Sequence, residues 1–222
     1  MRSAELNRDL ARQARQQQLL LRDAVFLRLA ALWPILDVQN LDASFPRWAP
    51  AVGQLVNRGH LVSASLAAQY LYTARADSSV PGLPTIVRAP PIDPPRLGAV
   101  LRITGPVAVK IAIGNGKDLT TAMQIGSVLS SGAATSLVLD GGRDTVVGSV
   151  KVDRTRPKWE RITGGNPCDF CAMLADRGAV YAEEDTANFE AHANCGCDAA
   201  VEYEATDTTD TATTTDVSQE AA

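Results

Sequence analysis

The sequence predicts a mainly α protein with a small α+β lobe near its C-terminal end, and three observations carry that prediction. Apolar residues recur at three-to-four spacing in the first third of the chain and again from Leu119 to Leu137, the period of helices with a buried stripe. Six prolines (Pro81, Pro84, Pro90, Pro91, Pro94 and Pro95) crowd into one stretch between these blocks. All four cysteines fall within residues 168–197. The expected order is an N-terminal helical region over 1–76, a Pro-rich linker over 77–97 and a central helical region over 98–157. A Cys/His lobe over 158–204 and a disordered acidic tail over 205–222 complete it.

The first helix is expected from residue 4 to about residue 33. Leu20, Ala24, Leu27 and Ala31 share a face, with Leu21, Val25, Leu29 and Leu32 beside them, and the spacing is that of a buried stripe. Trp33-Pro34 ends it, because the proline ring excludes helical continuation. A second helix is expected over 48–58 with Gly59 as its stop, and a third over 61–75. His60 sits at that junction. With Ser63 and Ser65 nearby it is a candidate catalytic base, although a junction histidine also serves as a cap or a packed side chain.

The proline stretch must be extended and without a regular hydrogen-bonded ladder, lying along the surface or reaching a neighbouring subunit. Thr104-Gly105-Pro106-Val107 reads as a helix start with proline in its first turn. The alternation of Val107, Val109, Ile111 and Ile113 equally suggests a strand. Leu119, Ala122, Gly126, Leu129, Ala133 and Leu137 space as a helix face. Asp140-Gly141-Gly142-Arg143 reads as a hinge, followed by a short helix from Asp144 to about Val152. The glycine pair lacks the G-x-x-x-x-G-K-[ST] pattern and a preceding strand, which excludes a P-loop. Short strands are expected at Trp159 to Thr163, at Val180-Tyr181 and from Ala199 to Tyr203.

Charge is unevenly distributed. No lysine or arginine follows Arg177, while eleven acidic residues do, so the preceding body carries 21 basic against 14 acidic groups, or +7. A basic body with an acidic end suits contact with DNA or with an oppositely charged partner, and also a merely solvated tail. Arg8, Arg12 and Arg15 are partly compensated by Glu5 and Asp9 and read first as a solvated helix face. The apolar run from Leu19 to Leu36 is broken by Arg22, Asp23, Arg28 and Pro34, too interrupted for a bilayer span of about 20 apolar residues. No secretory signal precedes it, so synthesis in a reducing cytosol is expected.

Chemistry concentrates in the cysteine window, which reads C-x2-C, twenty residues, then H-x2-C-x-C. Thiolate and imidazole are the ligands zinc prefers, and C-x2-C supplies two from one tight turn. The ligands are expected to be four of Cys168, Cys171, His192, Cys195 and Cys197, in a closed structural site that spacing alone does not reduce further. Pro167 restricts the approach to the turn, and Cys171 to Ala175 reads as a short helix closed near Gly178. A disulfide pair, a redox C-x-x-C and a Cys–His nucleophile are the competing readings.

Several segments together resemble the Mu F-like minor head proteins of tailed bacteriophages of actinobacteria, a family also labelled capsid maturation protease. They are Thr104-Gly105-Pro106-Val107, Leu139-Asp140-Gly141-Gly142-Arg143, Trp159 through Cys168, Cys171 through Tyr181, and the closing His192-x-x-Cys195-x-Cys197. Gly196 stands where that family commonly carries a basic or polar residue, and the stretch from Tyr181 to His192 is short. The resemblance implies a virion component of the phage head, made in the host cytoplasm. Its partners would be the portal and/or major capsid protein, and packaged DNA non-specifically, with no membrane and no small-molecule substrate. It would act in procapsid assembly, DNA retention or ejection, as an assembly protein rather than an enzyme. A capsid maturation protease is the enzymatic alternative, for which His60 and Glu190 are the weak catalytic candidates; no H-E-x-x-H is present. Non-specific DNA binding is the other.

Overall fold

The structure is a computed structural model that describes residues 2–165, 167–182, 189, 191 and 196–203, with side chains from residue 7 onward. It is mainly helical with a small two-stranded sheet. The segment expected to form an acidic tail, 205–222, lies outside the described residues.

Helix α1 (Arg2–Leu32) gives way to a 3-10 turn over Trp33–Ile35. Proline in the first turn of that tighter helix sets the bend, because its missing N–H has no partner to lose there. Only one of the two expected stripes of α1 is inside: Val25 and Leu29 are buried, and Leu21 and Leu32 pack against the same core. Leu20 and Leu27 are 60% and 69% exposed, and Ala24 and Ala31 are exposed with them. The apolar arc is wider than the surface that α2 and α5 can cover.

The expected pair of helices at 48–58 and 61–75 is a single helix, α2 (Leu41–Asp77). It runs through Pro46 and Pro50, both on its exposed side, and through Gly59. Gly59 is a notch rather than a stop. A Cβ there would lie 2.9 Å from Val138 Cγ2 and 3.2 Å from Val25 Cγ2, so its absence is what lets three helices cross at this level.

After a turn at 78–79 and a bend at Gly82, residues 83–93 run along helix α5 (Leu119–Val152) as a strap outside any helix or strand. Val80, Pro84, Ala89 and Ile92 are buried, and the N–H groups of alternate residues donate to side chains. Thr85 N–H donates to Asp153 Oδ2 at 3.1 Å, Val87 to Ser149 Oγ at 3.0 Å and Ala89 to Thr145 Oγ1 at 3.0 Å. Ile92 N–H donates to Asn57 Oδ1 at 3.0 Å. The two hydroxyls donate in turn to carbonyls one turn back in α5, Gly141 O and Thr145 O. The prolines supply no N–H that would need a place in this arrangement.

Helix α3 (Pro94–Arg102), capped by the Asp93 carboxylate on Arg96 N–H, leads through a π-turn over Ile103–Val107 into α4 (Ala108–Gly114). The ambiguous stretch is thus helical, and the π-turn falls where Pro106 removes a donor. Helix α5 starts at the N-cap Asp118, which accepts Thr121 N–H.

The expected hinge at 140–143 and the separate helix after it are both absent: α5 passes through without interruption. Gly141 and Gly142 face α2 and α1 at a close crossing. A Cβ at Gly141 would lie 2.1 Å from His60 O, and one at Gly142 2.5 Å from Gln18 Nε2. A buried clasp joins the three helices there: Ser63 Oγ donates to Gln18 Oε1 (2.7 Å) and accepts from Gly142 N–H (2.8 Å). Gln18 Nε2 donates to Ser63 O at 3.0 Å.

The remaining elements form the lobe. Strand β1 (Lys158–Ile162) pairs antiparallel with β2 (Asp198–Glu202), Trp159 opposite Val201, and α6 (Asp169–Ala175) lies between them in sequence. The expected strand at Val180-Tyr181 reduces to one bridge, Tyr181 to Trp159. Val201 is satisfied from the helical body: its N–H donates to Tyr70 Oη and its carbonyl accepts from Asn7 Nδ2, both at 3.0 Å. Trp159, Tyr181 and Val201 belong to the same core as Leu71, Ala74, Val146 and Val150, so the lobe is continuous with the helices.

Candidate functional site

The first half of the cysteine motif is a helix start. Cys168 is the N-cap of α6, with extended backbone (φ −71°, ψ 160°), and its carbonyl accepts Ala172 N–H at 2.9 Å. Pro167 before it fixes its own φ in the range of an extended approach, and Asp169 sits in the first turn where a negative charge suits the helix dipole. Gly178, at φ +66°, closes the segment in the left-handed conformation that glycine adopts without strain.

This arrangement turns Cys171 inward. It is 1% exposed, while Cys168 stays at the surface. Cys197, 4% exposed, lies immediately before β2 and packs with Cys171, Phe189 and Ala191 in one buried cluster. Two sequence-distant cysteines of the motif are therefore brought together. His192 and Cys195, the other two candidate ligands, and Glu190, the acidic catalytic candidate, lie outside the described residues. Among the described residues no three His, Cys, Asp or Glu side chains gather as a metal-sized group.

Two arginines hold this cluster, and the spacing of the cysteine motif points to neither. Arg143, fully buried on α5, donates from Nε and Nη2 to Cys197 O at 3.1 and 2.7 Å, and from Nη1 to Asp140 Oδ1 at 2.9 Å. Arg161, from β1, places Nη1 3.9 Å from Cys171 Sγ. Their guanidinium carbons stand 5.0 and 3.9 Å from the centre of the Phe189 ring, which Trp159 also contacts at 5.6 Å between ring centroids. Burial pushes the Asp198 carboxyl up to about 6, opposed by Arg143, by the Ala199 N–H and by Arg15. The one signal at Arg143 was its setting: it is the single arginine of α5, next to two glycines in a largely apolar stretch, and a charged side chain placed there must reach a partner.

His60 lies elsewhere, buried in the middle of α2. Its Nδ1 is 2.7 Å from Leu137 O and its Nε2 3.0 Å from Pro90 O, so the ring spans from α5 to the strap. Ser63 is engaged with Gln18 and Gly142, and Ser65 Oγ donates to Leu61 O within α2. The structure does not bring His60 to the cysteine cluster: its two ring nitrogens are taken up by Leu137 O and Pro90 O, although it meets α5 close to Arg143 in sequence.

No curated protein and no solved structure matches the chain. A family model described as VG15 protein matches residues 5–220, nearly the whole sequence. That span takes in the long helices, the strap and the cysteine lobe alike, and the chain belongs to the VG15 protein family, a viral family of phage proteins.

Proposed function

We propose that this protein is a minor head protein of the phage particle, of the Mu F-like kind, in which zinc fixes the C-terminal lobe as a docking element for the portal or major capsid protein. The observation that carries the reading is the pairing of Cys171 with Cys197 in one buried cluster on a lobe fastened to the helical body by Arg143. The donor set fits the metal. Cys171 and Cys197 would supply thiolates from inside the lobe, Cys168 a third from the N-cap of α6, and Cys195 or His192 the remainder. Such an ion acts as a cross-link, contributing folding free energy on the order of 10 kcal/mol. Arg143 and Arg161 offset the negative charge that a thiolate-rich zinc site carries.

The test is made on particles. Cys171→Ser, introduced into the phage, is expected to reduce incorporation of the protein into purified heads, while the purified wild-type chain holds one zinc by elemental analysis. Normal incorporation of Cys171→Ser would overturn the role assigned to the lobe. Absence of zinc from the wild-type chain would overturn the metal assignment on its own.

A further inference from the structure

Where the N-terminal half of α1 crosses the end of β1, a cleft of about 510 Å³ is lined by Arg8, Arg12, Arg15, Gln16, Arg161 and Thr163, with one carboxylate, Glu160, among its described residues. Arg8, Arg12 and Arg15 follow one another at spacings of four and three, which on a helix aligns them on one face. Arg22 continues the line two turns on. The run from Arg8 to Arg15 rises roughly 10 Å at about 1.5 Å per residue. One strand of a duplex places a phosphate about every 3.4 Å of axis, so three or four phosphates cover that length.

The cleft is built around Arg15. Its Nε donates to Gly196 O at 3.0 Å, and Gly164 leaves room for its guanidinium, since a Cβ there would lie 2.7 Å from Nη2. Arg8 and Arg12 are exposed on the same side, and Arg12 makes a surface ion pair with Asp9. Burial raises the Glu160 carboxyl above its ordinary range, as does Glu202, against the opposing charge of Arg8. No aromatic side chain lines the cleft among the described residues, so it offers no platform on which unpaired bases would stack. Guanidinium groups, an amide and a hydroxyl are the donors that hold phosphate oxygens.

We infer that the Arg8–Arg12–Arg15–Arg22 face of α1 is a binding site for the phosphate backbone of double-stranded DNA, without base readout. The contact belongs to the helical body and the β1 end of the lobe. It is measured on the purified full-length chain, so it can fail or hold independently of the head-protein reading.

The experiment is fluorescence anisotropy with a labelled random-sequence 30-base-pair duplex across a sodium chloride series. Four phosphate contacts predict a slope of log K against log salt of about −3 to −4, roughly a hundredfold loss between 50 and 200 mM. The double variant Arg8→Gln/Arg12→Gln should bring the slope to about −2, since each phosphate left unneutralised takes about one from it. Gly164→Ala, which displaces only the end of Arg15, should reduce it by about one. Arg28→Gln/Arg58→Gln, with the same charge change on the α1–α2 side, should leave the slope unchanged. The inference is overturned if duplex binding is absent at 50 mM salt. It is equally overturned if the Arg28/Arg58 variant is weakened as much as the Arg8/Arg12 variant, or if single-stranded DNA or polyglutamate binds more tightly than the duplex.

Discussion

Gly141→Ala separates the hinge expected from the sequence from the close crossing found in the structure. At an uncrowded glycine with ordinary backbone angles, alanine should be neutral or stabilising by about 0.5–1 kcal/mol, because it has less freedom to lose on folding. In the folded protein the added methyl would lie 2.1 Å from His60 O and 2.9 Å from His60 C, both backbone atoms of a 37-residue helix. Bringing that contact to an ordinary separation requires α2 and α5 to part by roughly 1 Å or more, given an optimal spacing of about 3.5 Å. The neighbouring contacts cannot follow: His60 Nδ1 to Leu137 O at 2.7 Å, and Ser63 Oγ to Gly142 N–H at 2.8 Å. Overpacking costs about 1–3 kcal/mol and each weakened buried hydrogen bond about 1 kcal/mol, against a propensity gain of about 1 kcal/mol. The net expectation is a loss of about 2–4 kcal/mol, or roughly 5–15 °C in melting temperature for a chain of this size. Gly148→Ala in the same helix is the control. Its Cβ would meet Val87 Cγ1 at 3.4 Å, ordinary contact, so it should be neutral or stabilising by about 0.5–1 kcal/mol. Urea denaturation followed by circular dichroism measures both. A Gly141→Ala protein as stable as Gly148→Ala would refute the crossing.

Other outcomes follow from the same contacts. Ser63→Ala removes the hydroxyl that Gln18 and Gly142 share, and should cost about 1–3 kcal/mol by urea titration. Arg75→Met leaves Asp153 buried without the guanidinium that bonds both its oxygens, a loss of about 3–5 kcal/mol by the same measurement. Although burial raises the Asp153 carboxyl, hydrogen bonds from Thr155, Thr85 and Arg75 outweigh it and hold it below the usual range. Its contribution is therefore present above the unfolded carboxylate value and lost as pH falls through the lower folded one; Asp153→Asn should flatten that acid limb in a stability–pH series. On the zinc reading proposed above, chelation of the purified protein releases zinc together with reactive thiols, and near-ultraviolet circular dichroism reports loss of the packed Trp159–Tyr181 stack.

The helical class was legible because long amphipathic periods announce themselves whatever the tertiary context, and so was a short helix at the first cysteine pair, although it begins at Asp169 and not at the expected Cys171. What the sequence hid were the joints. Gly59, Gly141 and Gly142 carry the same letter as a helix stop or hinge, and only the proximity of Val25, Val138, Gln18 and His60 shows that they are notches. The exposed stripe at Leu20 and Leu27 was indistinguishable from the buried one by spacing, since periodicity locates an apolar arc without saying how much of it finds a partner. At the candidate site the cysteines were legible as a cluster. Arg143 and Arg161 were not, because their role depends on contacts made across 54 and 10 residues of sequence.

The strap has a metric consequence. Two residues of extended chain advance roughly 6.6 Å, and four residues of α-helix roughly 6 Å. Thr85, Val87 and Ala89 step by two while their acceptors Asp153, Ser149 and Thr145 step by four, so the two scales stay commensurate over three marks, as on a vernier. A shift of one residue would aim every donating N–H at solvent, whereas a shift of two would set two of the three against a neighbouring acceptor. The segment before α3 can therefore change length in steps of two and still find its footing on α5. A single inserted residue between Thr85 and Ala89 would unseat it.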